Sequence, residues 1–391
     1  MQGHIQRRGG DSWRVSAYLG RDPTTGKKRY AQRTVRGTKR EAQAVLARLV
    51  TEVNDGRYAS AGALTVAELL ERFFELKANQ IEPGTLDGYR RVADYYVVPR
   101  MGTVKVAKLR AIDLDRLYAT LLQSGGKGGR ALSPRTVRLS HVLLRQALAQ
   151  AKRWGLLALN PAEDATPPRD TYHEITPPSV EVVIRLLNGA MEADPDFGVY
   201  LRVLAVTGCR RGEALALRWR DLTLPEDGPG EVLISRSIAL VGTEVVEKDT
   251  KTHQGRRLVL DAATVAVLHE HRGAWEEYAE LAGTKVTEDS FLFSSSLDGT
   301  TPWRPDVATG RFARLCKELG IEGVRLHDLR HYVATSLAAT GTPIATISSR
   351  LGHRDRATTL NIYSHSLPAL DYAAAEVLGE LLEDAEVGRG T

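Results

Sequence analysis

The chain has 391 residues, which indicates two or three domains, and 42% apolar and 26% charged residues are ordinary for a globular protein. No run of eighteen apolar residues exists and the first ten residues are polar and basic, so we expect neither a membrane span nor a secretory signal. Two cysteines, Cys209 and Cys316, are too few for a disulfide framework or a metal cluster. We therefore expect a protein of a reducing cytoplasm that holds no metal.

The net charge of +5 is distributed unevenly along the chain. Residues 1–58 carry a net charge of +8 and residues 64–170 carry +6, whereas residues 171–391 carry −9. A basic front half is typical of proteins that bind a polyanion, because cationic side chains displace counterions from phosphates. A basic but merely solvated surface is the alternative explanation.

Residues 1–58 predict a small domain of three strands followed by one helix. The strands are expected at 4–8, 13–19 and 29–35, with a turn at 22–26. Thr38 and Glu41 have the capping-box spacing, and the apolar residues that follow recur on one helical face. Five basic residues cluster on the second hairpin: Lys27, Lys28, Arg29, Arg33 and Arg36. The first four of them are candidates for DNA contact.

A second domain is expected at residues 64–166, after a Ser/Ala/Gly-rich linker at 59–63. Four helices are predicted at 66–77, 83–97, 112–123 and 134–153. The last helix carries Arg135, Arg138 and Arg145, for which DNA contact and plain surface solvation are equally good interpretations.

Residues 174–391 form the third predicted domain. Helices are expected at 179–191, 197–206, 262–281, 305–319, 326–340 and 343–351, and strands at 232–237, 245–248 and 257–260 in one small antiparallel sheet. The segment 370–386 predicts an acidic amphipathic helix. The expected fold class is mainly α with small β-sheets.

The third domain also concentrates the reactive side chains. His327 and Arg330 are one helical turn apart, so both can point at one target, and that pair suits an anionic phosphate. His353 follows, and Tyr363 is a candidate nucleophile because a phenolate can form a covalent ester with phosphorus. Either a lone histidine or a lone tyrosine is usually structural, so the pattern as a whole carries the argument.

Three motifs in this order resemble the C-terminal signature of the tyrosine recombinases, the phage-integrase family. They are His-x-x-Arg at 327–330, Leu-Gly-His at 351–353 and Thr-Thr-x-x-x-Tyr at 358–363. Upstream, the segment 207–213 resembles the family's first arginine box, with Arg210 in the catalytic place and Glu213 able to orient a guanidinium. Lys251 best resembles the family's hairpin lysine, with Lys248 as the alternative.

The resemblance implies a metal-free cleavage of DNA without ATP or any other cofactor. Arg210 and Arg330 would clamp the scissile phosphate, His327 and His353 would hydrogen-bond it, and Lys251 would protonate the departing 5′ oxygen. Attack by Tyr363 would give a 3′-phosphotyrosine. Residues 1–58 resemble an arm-type DNA-binding domain and residues 64–166 a helical core-binding domain, which implies core and arm-type attachment sites, a homotetramer on DNA and an excision factor.

Two other classes stay open at this point. A DNA-relaxing enzyme similar to type IB topoisomerases would use related residues, although the arm-like domain argues against it. A non-catalytic DNA-binding regulator would not require the reactive residues. Cys209, next to the arginine box, has no histidine paired with it in sequence, and we interpret it as a small packed residue.

Overall fold

The computed structural model describes residues 3–21, 26–54, 64–170, 176–249 and 255–352. The chain divides into two compact units, residues 1–173 and 174–391. Helices dominate and the sheets are small and antiparallel, so the expected fold class is confirmed. Within the described ranges, no helix is long and apolar enough to cross a membrane. The predicted linker at 59–63 and the C-terminal helix at 370–386 lie outside these ranges.

The first unit begins with a three-stranded sheet in the order β1-β2-β3. The strands are β1 (Gly3–Gly9), β2 (Ser12–Arg21) and β3 (Lys28–Arg36), and α1 (Lys39–Asn54) follows. The predicted capping box is present, because the Thr38 N–H donates to Glu41 Oε2 at 2.7 Å and the Glu41 N–H donates to Thr38 Oγ1 at 3.3 Å. Helix α1 covers one face of the sheet, where Val15, Ala17 and Ala31 are buried.

Helices make up the rest of the first unit. They are α2 (Val66–Lys77), α3 (Pro83–Val92), α4 (Val98–Met101), α5 (Ala111–Ser124) and α6 (Pro134–Arg153). A wide π turn at Ala93–Val97 joins α3 to α4, so the predicted helix at 83–97 continues to Met101. Pro99 explains the wide turn, since it has no N–H to donate, and Arg100 Nη1 donates to the carbonyls of Tyr95 and Tyr96 instead.

The first unit contains two separate hydrophobic clusters, one under the sheet and one among helices α2 to α6. Phe73, Phe74, Leu114 and Leu144 are central members of the second cluster. The division of the whole chain into three domains at 1–58, 64–166 and 174–391 stays a prediction.

The second unit is built on seven helices within the described ranges. They are α7 (Val180–Ala193), α8 (Pro195–Thr207), α9 (Arg211–Leu215), α10 (Ala262–Leu281), α11 (Pro305–Glu318), α12 (Asp328–Ala339) and α13 (Ile344–Leu351). Helix α8 is buried on most sides, and Tyr200 packs edge-on against Phe293 and Trp303. Because α8 is enclosed, its C-terminal end is a fixed point on which the site described below is built.

Five strands form two small sheets in the second unit rather than the single sheet expected. Strands β4 (Leu222–Thr223), β5 (Gly230–Ile234) and β8 (Arg256–Leu260) form one, and β6 (Arg236–Val241) and β7 (Glu244–Asp249) form the other. The predicted strand at 232–237 is therefore wrong, since the chain changes sheet at Ser235. Buried apolar residues stand at Val232, Ile234 and Ile238, with Arg236 between them, so the same two-residue period lies on both sides of the break and gives no sign of the change of sheet.

Candidate active site

The site begins where helix α8 ends. Gly208 adopts a left-handed conformation with φ of +64°, which glycine tolerates without steric cost, and it turns the chain toward α9. A Cβ atom at this position would lie 2.5 Å from Leu351 Cδ2 and 3.1 Å from Val333 Cγ1, so the turn is also tightly packed. Two residues later Arg210 occupies the N-cap position of α9.

Glu213 organises the first arginine box. The residue is 2% exposed, and Arg210 donates to it twice: the backbone N–H to Oε2 at 2.9 Å and Nη1 to Oε1 at 2.8 Å. Burial alone would raise the pKa of Glu213, but the hydrogen bond and charge of Arg256, followed by those of Arg210, hold that pKa below its ordinary value. Glu213 is therefore an ionised, buried carboxylate that fixes the position of Arg210.

Arg330 lies in the first turn of α12 and is only 5% exposed. Its Nη1 donates to the Gly208 carbonyl at 2.7 Å, whereas its buried Nη2 has no hydrogen-bond partner in the part of the chain that the structure describes. Burial, helped by the positive charge of Arg210, lowers the pKa of Arg330 to about 9. A buried N–H donor without an acceptor is unusual, because an unpaired buried polar group raises the free energy of the folded state.

His327 occupies the N-cap position of α12, three residues before Arg330. Its ring meets the ring of His331 edge-on, at 5.2 Å between centroids. Partial burial of the ring, with the charges of His331 and Arg330, lowers the pKa of His327, so the free protein holds a neutral imidazole near pH 7. The two residues predicted to act together thus lie at the same end of one helix.

Arg256 belongs to the same cluster and was not predicted from the sequence. Its Nη2 donates to Glu213 Oε2 at 2.6 Å and its Nε to the Arg350 carbonyl at 3.0 Å. Nothing in the sequence separates Arg256 from its neighbour Arg257, which is a surface residue with its side chain 63% exposed. The contacts come from segments 43 and 94 residues away, which local patterns cannot reveal.

The assembled cluster therefore contains three guanidinium groups and one carboxylate, a formal charge of +2. Arg210, Arg256 and Arg330 come from α9, β8 and α12, and the Leu-Gly-His segment adds the Gly352 carbonyl, which accepts from Arg210 Nη2 at 3.2 Å. An excess of partly buried positive charge with an unpartnered N–H is chemically suited to an oxyanion, and planar guanidinium groups match phosphate oxygens.

The remaining predicted catalytic residues, Lys251, His353 and Tyr363, lie outside the described residues. Lys248, the alternative to Lys251, is in β7 opposite Ser237. Burial raises the pKa of the Cys209 thiol to about 11, which agrees with its interpretation as a small packed residue. Within the described ranges, no group of histidine, cysteine and acidic residues could hold a metal ion.

The predicted DNA-binding residues are all exposed in the first unit. Four of them lie at the start of β3 or along it, and two lie on α6, where Arg138 Nη1 also donates to the Pro168 carbonyl at 3.3 Å. Arg135, Arg138 and Arg145 are spaced so that they share one face of α6. The exposed residues are Lys27, Lys28, Arg29, Arg33, Arg135 and Arg138.

Comparison with known proteins identifies the class. Residues 182–369 match the phage integrase family, and residues 65–122 match the SAM-like domain found at the N-terminus of phage integrases. Together the two matches span more than half of the chain, which therefore belongs to the phage integrase family. The chain is a site-specific tyrosine recombinase, an enzyme that cleaves and rejoins DNA, as the motifs predicted.

Individual relatives align with this chain over almost their whole length. A XerC-like tyrosine recombinase of Caldanaerobacter subterraneus subsp. tengcongensis is 25% identical over 96% of this chain and 97% of its own. An integrase of Streptomyces ambofaciens is 27% identical over 94% of this chain and 92% of its own.

Solved structures show the same fold. The Tn1549 transposon integrase in complex with transposon right-end DNA has a TM-score of 0.65 and 19% identity, covering 81% of this chain and 100% of that one. A lambda integrase tetramer bound to a Holliday junction has a TM-score of 0.56 and 15% identity, covering 92% and 94%.

Proposed function

We propose that Arg210, Arg330 and His327 bind one scissile phosphate of DNA and that Tyr363 attacks it. The observation that carries the proposal is the buried Nη2 of Arg330, which lacks a partner among the described residues and lies close enough to Arg210 for that charge to lower its pKa. The guanidinium of Arg210, held by Glu213, and that of Arg330, held by the Gly208 carbonyl, can each bind a non-bridging oxygen. Their geometry is fixed before the substrate arrives, which is what stabilisation of a transition state requires.

The chemistry that follows conserves bond energy. The phenolic oxygen of Tyr363 forms a bond to phosphorus as its proton passes to the neutral His327 imidazole. The bond from phosphorus to the 5′ oxygen breaks, and Lys251 supplies the proton to that oxygen. His353 donates a further hydrogen bond to the phosphate. A 5′-hydroxyl from the partner strand then attacks the 3′-phosphotyrosine in the reverse reaction. Arg210 and Arg330 provide the charge stabilisation that metal ions give in other phosphoryl transfers, so we propose that neither metal nor ATP takes part.

Two basic surfaces support binding to double-stranded DNA at more than one site. The arginine face of α6 would contact core DNA, and the basic strand β3 would contact arm-type sites. We further propose a homotetramer on paired sites, as in the lambda integrase structure, and an excision factor that sets direction. The protein would act in the bacterial cytoplasm, where it integrates and excises a mobile element.

A suicide substrate tests the nucleophile. Tyr363→Phe removes one oxygen and no apolar volume, so the variant should bind a nicked half-site like the unaltered protein yet form no covalent adduct. Tyr278→Phe is the matched control, because Tyr278 is 59% exposed on α10 and should be dispensable. An adduct formed by the Tyr363→Phe protein would disprove the assignment.

Two further experiments separate the proposed reaction from a metal-dependent reaction and from simple DNA relaxation. Adduct formation should be unchanged in excess EDTA, whereas a metal-dependent reaction would stop. Strand exchange between two linear duplexes should occur, whereas an enzyme that only relaxes supercoiled DNA would form adducts without exchange.

A further inference from the structure

Arg256 has contacts that the proposed cleavage reaction leaves unexplained. Its side chain is 12% exposed, although arginine is mostly found at protein surfaces. Beyond its bonds to Glu213 and the Arg350 carbonyl, it packs on Gly352, where an added Cβ atom would lie 2.8 Å from Arg256 Nη1. One guanidinium thus joins strand β8 to the first arginine box and to the end of α13.

The carboxylate of Glu213 is shared between two arginines. Oε1 accepts from Arg210 Nη1 at 2.8 Å, and Oε2 accepts from the Arg210 N–H and from Arg256 Nη2. The three side chains together carry a formal charge of +1. Without Arg256, the remaining pair of Arg210 and Glu213 would sum to zero, and a neutralised Arg210 attracts an anion less strongly.

The exposure of the two arginines differs in a way that fits separate roles. The side chain of Arg210 is 38% exposed and can reach a ligand from solvent, whereas that of Arg256 is 12% exposed and already uses Nε and Nη2 on protein oxygens. Arg256 would therefore act on a bound phosphate through its neighbours.

We propose that Arg256 is a positioning residue of the cleavage reaction, which fixes Glu213 and the Gly352 turn and preserves net positive charge at Arg210. The inference rests on the proposed function of Arg210. Its neighbour on strand β8, Arg257, provides a control because its side chain is 63% exposed and its Nη1 lies 3.7 Å from Glu231 Oε2.

The experiment measures single-turnover adduct formation on a suicide half-site at saturating protein, together with half-site affinity. Arg256→Met should lower the cleavage rate on the order of 10- to 100-fold, less than loss of a directly contacting donor, with affinity nearly unchanged. Arg257→Met should cleave like the unaltered protein. A folded Arg256→Met protein with a wild-type rate would overturn the inference.

A second substitution distinguishes charge balance from a merely structural role. Adding Glu213→Gln to Arg256→Met restores the formal charge of +1 but removes the carboxylate that holds Arg210, so the double variant should be slowed by less than the product of the two single defects. If the two substitutions only damage the fold, their defects should multiply, and that result would also overturn the inference.

Thermal unfolding shows whether each variant is folded. If Arg256→Met does not fold, Arg256→Lys tests the positioning role instead. Lysine keeps the charge but cannot donate to both Glu213 and the Arg350 carbonyl, so the rate should fall by about 3- to 10-fold with affinity kept; a wild-type rate would contradict the inference. If the unaltered protein forms no adduct, the proposed function itself fails. If it does and the Arg256 variants match it, only the role of Arg256 fails.

Discussion

Arg330 lowers the stability of the folded protein while it provides a donor suited to a phosphate. Its guanidinium is buried, its Nη1 is used by the Gly208 carbonyl, and its Nη2 is left without a partner among the described residues. Desolvation of a charge and an unmade hydrogen bond both destabilise the folded state. A bound phosphate would supply the missing acceptor.

Arg330→Met should therefore separate activity from stability. Methionine is shorter than arginine, but it is apolar and removes both the buried charge and the unpaired donor, so the free energy of unfolding should stay the same or rise. The cleavage rate should fall by about 10²- to 10³-fold, as for loss of one preorganised donor. Urea unfolding and the suicide-substrate assay measure the two effects, and a variant that is unstable or still fully active would contradict this account of Arg330.

At this scale the sequence predicted Arg210, Glu213, His327 and Arg330 through their motifs, and the structure brings all four into one region. Arg256 was not predicted as a site residue, because no local spacing distinguishes it from Arg257. What singles it out is a carboxylate 43 residues earlier, and pairings of that kind depend on the tertiary fold.

Among the elements, helices were predicted more accurately than strands. The range of α10, Ala262–Leu281, was predicted to the residue because Asp261 caps it and its length leaves little ambiguity. The change of sheet at Ser235 could not be predicted, since both β5 and β6 are half-buried strands of the same period. The choice of partner strand is made by the fold and not by that period.

The turn between α8 and α9 is the element on which the site depends most directly. Gly208→Ala should destabilise the protein and slow cleavage, because it places a side chain in a left-handed turn and against Leu351 and Val333. We expect a loss of about 2–4 kcal/mol in the free energy of unfolding. The displaced Gly208 carbonyl would no longer hold Arg330, so cleavage should fall beyond what lost stability explains.

Gly320→Ala is the matched control for that substitution. Gly320 also has a left-handed backbone, with φ of +63°, but no atom lies within 4 Å of the position of its missing Cβ. The Gly320→Ala protein should lose only about 1 kcal/mol in its free energy of unfolding and should keep its cleavage rate. Equal effects of the two substitutions would show that backbone strain alone, and not the packing at the site, accounts for the result.

For the whole molecule, the basic N-terminal segment should be separable from catalysis. Deleting residues 1–58, which carry a net charge of +8, should leave a protein that binds and cleaves core DNA but loses a second set of DNA sites. Footprinting on a complete attachment site measures this. Retention of every footprint by the shortened protein would show that the segment is not an arm-binding domain.

The acidic C-terminal segment should act between protomers. Leu370, Ala374, Val377, Leu378 and Leu381 recur at helical spacing, and residues 371–391 carry a net charge of −5, which disfavours DNA contact. Truncation after Ser366 should weaken tetramers on synthetic Holliday junctions while sparing half-site binding, because a head-to-tail exchange closes a ring. Sedimentation measures the tetramer fraction, and an unchanged fraction would show that the segment packs on its own protomer.

The wide sequence separation of the contacts at Gly208 and Gly352 also has a consequence for biosynthesis. The bond from Arg330 to Gly208 spans 122 residues and the bond from Arg210 to Gly352 spans 142. Contacts of such separation form late, after most of the loop-closure entropy has been overcome. A chain still on the ribosome therefore cannot complete the arginine cluster until the Leu-Gly-His segment has emerged, so we expect fragments that end before this segment to be unable to cleave DNA.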